Sequence, residues 1–492
     1  MTLPLFSSCL RRPLAALMCA SLLLGACNAS GIAPAETVES GTARWAKPAP
    51  APDFTPTRWP TDGVVRTQPN FQAPSAASCA RPIQTHEISG GDTRQRRHRG
   101  EPTDVAPSPR AADERMSTAE SARIEMDGAR ALPAPPAAQT IRRGSPPAPQ
   151  TVNAGMVDDN ADFAEYLRFR QRTQVAHRER DVSERYLLQV RNASGDAVPD
   201  AEVAVQAPGG AAMWARTDAG GRAWLHPNAF DPNHSQVYEV AARKNGRDGT
   251  AFLRRGQKSA VDLVIDVPAA AARARLDLVF LVDATGSMGD EIGKLKASLR
   301  SIANEVAQLP SRPDTCFGLV AYRDRGDAFM VRTHDFTNDL NAFQAVLNAL
   351  QASGGGDNPE ALNEALHETV HRLNWRGTSA TRMVVLLADA PPHLDYGGPQ
   401  YDDDMMAALG KGIKVFSVGA SGLDPQGEYI QRQIAQYTGG RFVFLTYKNA
   451  ADPSSGPGRE TVHDVNNYSV QTLDKLIVRL VSEELQKLPK GF

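Results

Sequence analysis

The stretch LVDATGSMGD, residues 281–290, decides how the rest of the chain is read. An apolar run, LDLVFLV at residues 276–282, ends abruptly in a carboxylate, Asp283. Hydroxyls follow at alternate positions, Thr285 and Ser287, and then an amphipathic segment begins. Oxygen groups at i, i+2 and i+4 just beyond a buried strand can converge on one point. That point suits a hard cation or a phosphoryl group, and the flanking sequence has to choose between them.

Working outward, GDEIGKLKASLRSIANEVAQL places Ile292, Leu295, Leu299, Ile302, Val306 and Leu309 on one helical face. CFGLVAY and FMVRTHDF read as strands. A helix over residues 337–351, capped by Thr337, and another over residues 359–373, with proline in its first turn, come next. RMVVLLAD, IKVFSVGA and RFVFLT are further apolar strands between helical segments, and a last helix covers residues 473–488. This alternation predicts an α/β fold over residues 274–488: a doubly wound, mostly parallel sheet with helices on both faces.

In such sheets ligands bind beyond the carboxyl ends of the strands. Two strands leave the sheet through an aspartate, Asp283 after VFLV and Asp389 after VVLLA. The glycine-rich loop SGGGDNPEA, residues 353–361, adds Asp357 and Glu360 before a helix. The candidate ligands are therefore Asp283, Thr285, Ser287, Asp357, Glu360 and Asp389. All are oxygen donors, which points to Mg²⁺, with Mn²⁺ and Ca²⁺ as the other candidates, rather than to zinc. Because hydroxyls supply part of the shell, the cation stays under-neutralised and attracts an outside carboxylate.

At these residues the chain resembles the von Willebrand factor A family. Asp283, Thr285 and Ser287 match its metal-ion-dependent adhesion motif, Asp-x-Ser-x-Ser, with Thr in the first hydroxyl position. Asp389 matches the aspartate of the third loop, although Ala390 stands where glycine is common. VDATGSMGD, AYRDRGD, GGGDNPEAL and LADAPPH look like A domains of the α-kinase-associated type, but no kinase domain accompanies them. The second loop departs from the common threonine. GDNPE resembles the integrin β-type loop, which favours Glu360 as the ligand, with Asp357 as ligand or support. The resemblance implies a metal-dependent protein-binding module whose partner offers an Asp or Glu.

Upstream, residues 186–268 change period to short alternating strands separated by turns such as NASGDAVPDA and TDAGG, predicting a small antiparallel β-sandwich. The Gly-Asp-Ala-Val-Pro turn and TDAGGRAWLHP resemble carboxypeptidase-regulatory-like domains. Residues 151–185 predict a short helical lead-in, with Phe163, Tyr166, Leu167 and Phe169 at helical spacing. Residues 27–150 are rich in Pro and Ala without hydrophobic periodicity and predict a disordered tether, spanning roughly 60 Å end to end. Residues 1–26 read as an export signal: Arg11 and Arg12 precede a short apolar stretch that ends in LGAC. That ending looks like a bacterial lipobox, which implies lipidation at Cys27 and anchoring to the bacterial cell membrane, the outer membrane in this reading, facing periplasm or surface. Cys9 and Cys19 fall in the signal, leaving Cys79 and Cys316. With Cys79 in low-complexity sequence, no bridge between them is expected.

The formal net charge of −2 provides no field pointing to nucleic acid. The basic run RQRRHRG, residues 94–100, reads as a solvated linker patch, and RGD at residues 325–327 as part of a loop. No small-molecule substrate is expected. The rival readings are a purely structural envelope spacer and a haloacid dehalogenase-like phosphotransferase, of which DATGS is reminiscent through an aspartate nucleophile. No lysine stands in either candidate motif to offset transition-state charge, so a non-enzymatic role is expected.

Overall fold

A computed structural model describes residues 79–91, 152–257, 259–268, 273–377 and 379–489. The export signal, Cys27, the basic run and most of the expected tether lie outside the described residues. In chain order the elements begin with β1 (Thr85–Ile88), β2 (Asn153–Val157), α1 (Phe163–Arg172), β3 (Tyr186–Arg191), β4 (Glu202–Gln206), β5 (Ala212–Arg216) and β6 (Arg222–Leu225). There follow α2 (Pro227–Phe230), β7 (Val237–Lys244), β8 (Arg247–Arg254), β9 (Ala260–Val264), β10 (Arg275–Asp283), α3 (Gly289–Ala307), β11 (Asp314–Tyr322), β12 (Val331–Thr337), α4 (Leu340–Ala349) and α5 (Leu362–His371). The last are β13 (Thr381–Ala388), α6 (Tyr401–Lys411), β14 (Ile413–Gly419), α7 (Pro425–Tyr437), β15 (Phe442–Asn449), β16 (Asp452–Pro457), β17 (Gln471–Thr472) and α8 (Leu473–Leu485).

The main sheet runs β1-β12-β11-β10-β13-β14-β15-β2-β17, with β16 paired to β15. Its centre, from β11 to β15, is parallel, and its flanks are antiparallel. Central strands buried on both sides explain the near-continuous apolar runs. Along β10, Leu278, Phe280 and Val282 join a core with Leu295, Leu299 and Ile302 of α3, Phe343 of α4 and Leu476 of α8. The alternate residues Val279 and Leu281 join a second core with Leu366 of α5, Met405 of α6 and Ile434 of α7. The cap of α4 is Asp339, whose carboxylate accepts from the N–H groups of Asn341 and Ala342, not Thr337 as expected; the helix starts at Leu340. Likewise α5 begins at Leu362, leaving Pro359 in the preceding loop.

Three expectations about the N-terminal half are corrected. The tether of residues 27–150 is interrupted by β1, which adds antiparallel to β12, and the open backbone edge of β12 accepts it. The bridge not expected between Cys79 and Cys316 is present, with Cα atoms 5.8 Å apart and both cysteines buried. Docking of β1 carries Cys79 to the start of β11, which sequence separation concealed. The lead-in of residues 151–185 contains α1 but also β2, an antiparallel neighbour of β15 in the main sheet.

Residues 186–264 form two small sheets, β6-β3-β9 and β5-β4-β7-β8. They are not wholly antiparallel: β9 returns alongside β3 in the same direction. Their turns dock on the α/β unit through buried ion pairs. Asp200 accepts from Arg216 and from Arg382 of β13, each at 2.8 Å. Lys414 of β14 donates to Asp218 at 3.0 Å and to Glu484 of α8 at 2.8 Å. These contacts lie where β13 and β14 begin, leaving the opposite ends of the strands to the candidate site.

Candidate metal centre

The site is built where β10 and β13 finish. Asp283 is fully buried, and its Oδ1 accepts from the backbone N–H of Thr285 at 2.9 Å and from its hydroxyl at 2.7 Å. The Thr285 hydroxyl lies 3.0 Å from that of Ser287, which is exposed at the open side. The glycine-rich loop folds over this turn: the N–H of Gly286 donates to the Gly354 carbonyl at 2.8 Å, and that of Ser353 to the Ala284 carbonyl at 3.0 Å. Gly355 has φ +63°, and a Cβ there would stand 2.6 Å from Glu360 Oε1 and 3.0 Å from the Thr285 Cβ. Only glycine satisfies both the conformation and the approach.

Glu360, only 3% exposed, is fixed by its backbone. Its N–H donates to the Pro391 carbonyl at 3.0 Å, and its carbonyl accepts from His393 at 3.2 Å. This stitches the second loop to the third, which starts at Asp389. Asp357 is exposed on the outer side of its loop. The structure thus brings Asp283, Thr285, Ser287, Glu360 and Asp389 to one end of the sheet and leaves Asp357 facing solvent.

One oxygen on each buried acid accepts no hydrogen bond: Asp283 Oδ2, Glu360 Oε2 and Asp389 Oδ1. Burial, followed by the neighbouring Asp389, pushes the Asp283 carboxyl well above the usual range, and burial raises that of Asp389. Glu360 is pushed up to about 9 by burial and then by Asp283 and other nearby acids. The Tyr322 hydroxyl is driven up by burial and by the same carboxylates. These are groups with too much negative charge for their surroundings. A hard divalent cation fits this donor set, since it would satisfy orphaned carboxylate oxygens with hydroxyls completing the shell.

Sequence reasoning missed the brace beneath the second loop. Asp327 Oδ2 accepts from the N–H groups of Gly355 at 2.8 Å and Asp324 at 3.1 Å, holding the glycine-rich loop over Asp283. Its signal was the RGD at residues 325–327, whose aspartate is engaged internally. Arg325 lies 3.7 Å over the ring of Tyr396, which in turn donates to Asp324 at 2.7 Å.

Fold and site together define an α/β module with a group of oxygen donors at the strand ends. Residues 277–393 match the family model of the von Willebrand factor A domain, and the chain carries that domain there. Alpha-protein kinase vwkA of Dictyostelium discoideum is 32% identical over 119 residues, 24% of this chain and 19% of that protein. The mouse von Willebrand factor A domain-containing protein 7 is 31% identical over 141 residues, 28% of this chain and 15% of that one. The match therefore spans less than a fifth of either relative. Among solved structures, the pilus adhesin SpaC from Lactobacillus rhamnosus GG, in its open conformation, aligns at a TM-score of 0.27 and 17% identity, over 42% of this chain and 31% of that one. That similarity is too distant to bear on function.

Proposed function

We propose that the protein is a divalent-metal-dependent protein-binding lipoprotein of the bacterial cell envelope. The observation that supports this most is the set of buried, partnerless oxygens on Asp283, Glu360 and Asp389. In this reading Asp283, Thr285, Ser287, Glu360 and Asp389 hold Mg²⁺, or Mn²⁺ or Ca²⁺ in its place, and the exposed side at Ser287 faces the partner. The bound cation supplies positive charge that an Asp or Glu of the partner completes. Thr285 orients Asp283, Asp327 fixes the loop that positions Glu360, and the cores behind the sheet hold the donors still. We read the layering as doubly wound, the two small sheets as a carboxypeptidase-regulatory-like sandwich, and Cys27 as the lipidated anchor.

The test is retention of envelope proteins on the immobilised full chain. Binding should require Mg²⁺, be released by a chelator, and be lost in Asp283→Ala. Retention indifferent to both would support the spacer reading. An acyl-phosphate trapped at Asp283 would instead make the protein a phosphotransferase. Fatty-acid labelling lost in Cys27→Ser tests the anchor, and label persisting in that variant would refute it.

A further inference from the structure

A second cluster lies away from the strand-end site, between α5 and α6. His367 and His371 are four residues apart on α5, so both project from one face of that helix. Opposite them on α6 stands Asp404. Its Oδ1 lies 3.0 Å from His367 Nδ1 and 3.0 Å from His371 Nε2, and the imidazole centroids are 4.4 Å apart. One ligand atom from each of the three falls within 4.8 Å of the others. The three acids of the strand-end site make no such grouping among the described residues.

Two further features distinguish this cluster from an ordinary histidine–carboxylate contact. Asp404 is 3% exposed, yet its Oδ2 is buried without a hydrogen-bond partner. The His367 side chain is 42% exposed, so one side of the cluster is open to solvent. Donor atoms bound to a tetrahedral metal at about 2.0–2.1 Å stand roughly 3.3 Å apart. The two histidine–Asp404 hydrogen bonds, each 3.0 Å long, therefore need open by only a few tenths of an ångström to give way to a shared ion. Imidazole nitrogen is also the donor that the strand-end site lacks. Two imidazoles and a carboxylate select a borderline transition-metal dication over Mg²⁺.

We propose that His367, His371 and Asp404 form a second metal site, specific for a borderline dication such as Zn²⁺, with three protein ligands and a fourth position open to solvent. The site is independent of the strand-end centre in its donors and in the helices that carry it. Cysteine plays no part, because the described cysteines are joined to each other.

The test is Zn²⁺ calorimetry on the full chain, backed by Co²⁺ absorption as a report of coordination by nitrogen and oxygen. The chain should bind Zn²⁺ at this site in the presence of excess Mg²⁺, and Asp283→Asn should retain that binding. Single His371→Ala and Asp404→Asn variants should each lose it by at least tenfold, with circular dichroism unchanged. His367→Gln, at the exposed position, should weaken it without any risk to the core. Absence of Zn²⁺ binding, loss of binding in Asp283→Asn, or binding unaffected by His371→Ala and His367→Gln in folded protein would each overturn the assignment.

Discussion

Two sets of buried carboxylates lie at opposite ends of one sheet, and the fold treats them in opposite ways. Where β13 and β14 begin, each has a cation: Asp200 has Arg216 and Arg382, Glu484 has Lys414, and Asp277 has Arg376. Where β10 and β13 finish, Asp283, Glu360 and Asp389 have orphaned oxygens and no ion pair among the described residues. The electrostatic consequence has opposite sign. Despite their burial, Asp200 is held well below the usual carboxylate range by Arg382 and Arg216, and Glu484 is held down to about 2 chiefly by Lys414. Glu360 goes up to about 9 because burial is reinforced by other acids. Burial alone therefore does not set the sign of a carboxylate's shift in this molecule; the presence or absence of a countercharge does.

The comparison breaks most visibly if a paired acid is deprived of its cation. Arg376 donates to Asp277 Oδ1 at 2.6 Å, and its backbone N–H to Oδ2 at 2.9 Å, with Asp277 fully buried. Arg376→Met should cost about 3–5 kcal/mol in denaturant unfolding, the penalty of an uncompensated buried charge. A loss below about 1 kcal/mol would mean that the pairing at this end matters little.

The same end carries the disulfide, with Cys316 directly opposite Asp277 in the β10–β11 register. Cys79→Ser should cost about 2–4 kcal/mol and raise amide exchange at residues 85–88, since the bridge spans 237 positions and secures an edge strand. Unchanged exchange would show that the β1–β12 ladder holds by itself.

Acid sharpens the contrast. The Glu484 pKa is depressed on folding from 4.5 to about 2, so its contribution is present above about pH 4.5 and is lost as pH falls towards 2. That loss should be on the order of 2–3 kcal/mol and should be absent from Glu484→Gln. An identical acid limb in the variant would remove Glu484 from the account. The smallest effect belongs to the exposed Asp357. Asp357→Ala should change stability by less than about 0.5 kcal/mol and leave Mg²⁺ stabilisation in place, whereas Glu360→Gln should weaken the latter. Equal losses would make both residues ligands.

Much of the candidate-site end was legible because strand-end chemistry is local. Asp283, Thr285 and Ser287 follow one buried run, and Gly354 and Gly355 before Glu360 stand where a Cβ would collide with Asp327 and Glu360. The opposite end was not legible, because its partners come from separate elements: Arg382 pairs with Asp200 across 182 positions, and Lys414 with Asp218 across 196. β1 and β2 escaped notice for a related reason. THEI is mostly exposed and NAGMV is only five residues long, so each is a strand by virtue of the edge that accepts it, not by its own pattern. Asp327 was visible as part of a tripeptide, but its bond to Gly355 depends on a fold that joins two distant loops.

The central claim is that Asp283 is destabilising until a cation arrives, and thermal and denaturant unfolding of Asp283→Asn with chelator and with Mg²⁺ tests it most directly. In chelator the variant should be more stable than the parent by about 1 kcal/mol, because a buried repulsion has been removed. With Mg²⁺ at about a hundred times its Kd the parent should gain roughly 2.7 kcal/mol and overtake the variant, which should not respond. A variant less stable than the parent in chelator, or one that gains as much from Mg²⁺ as the parent does, would contradict the account.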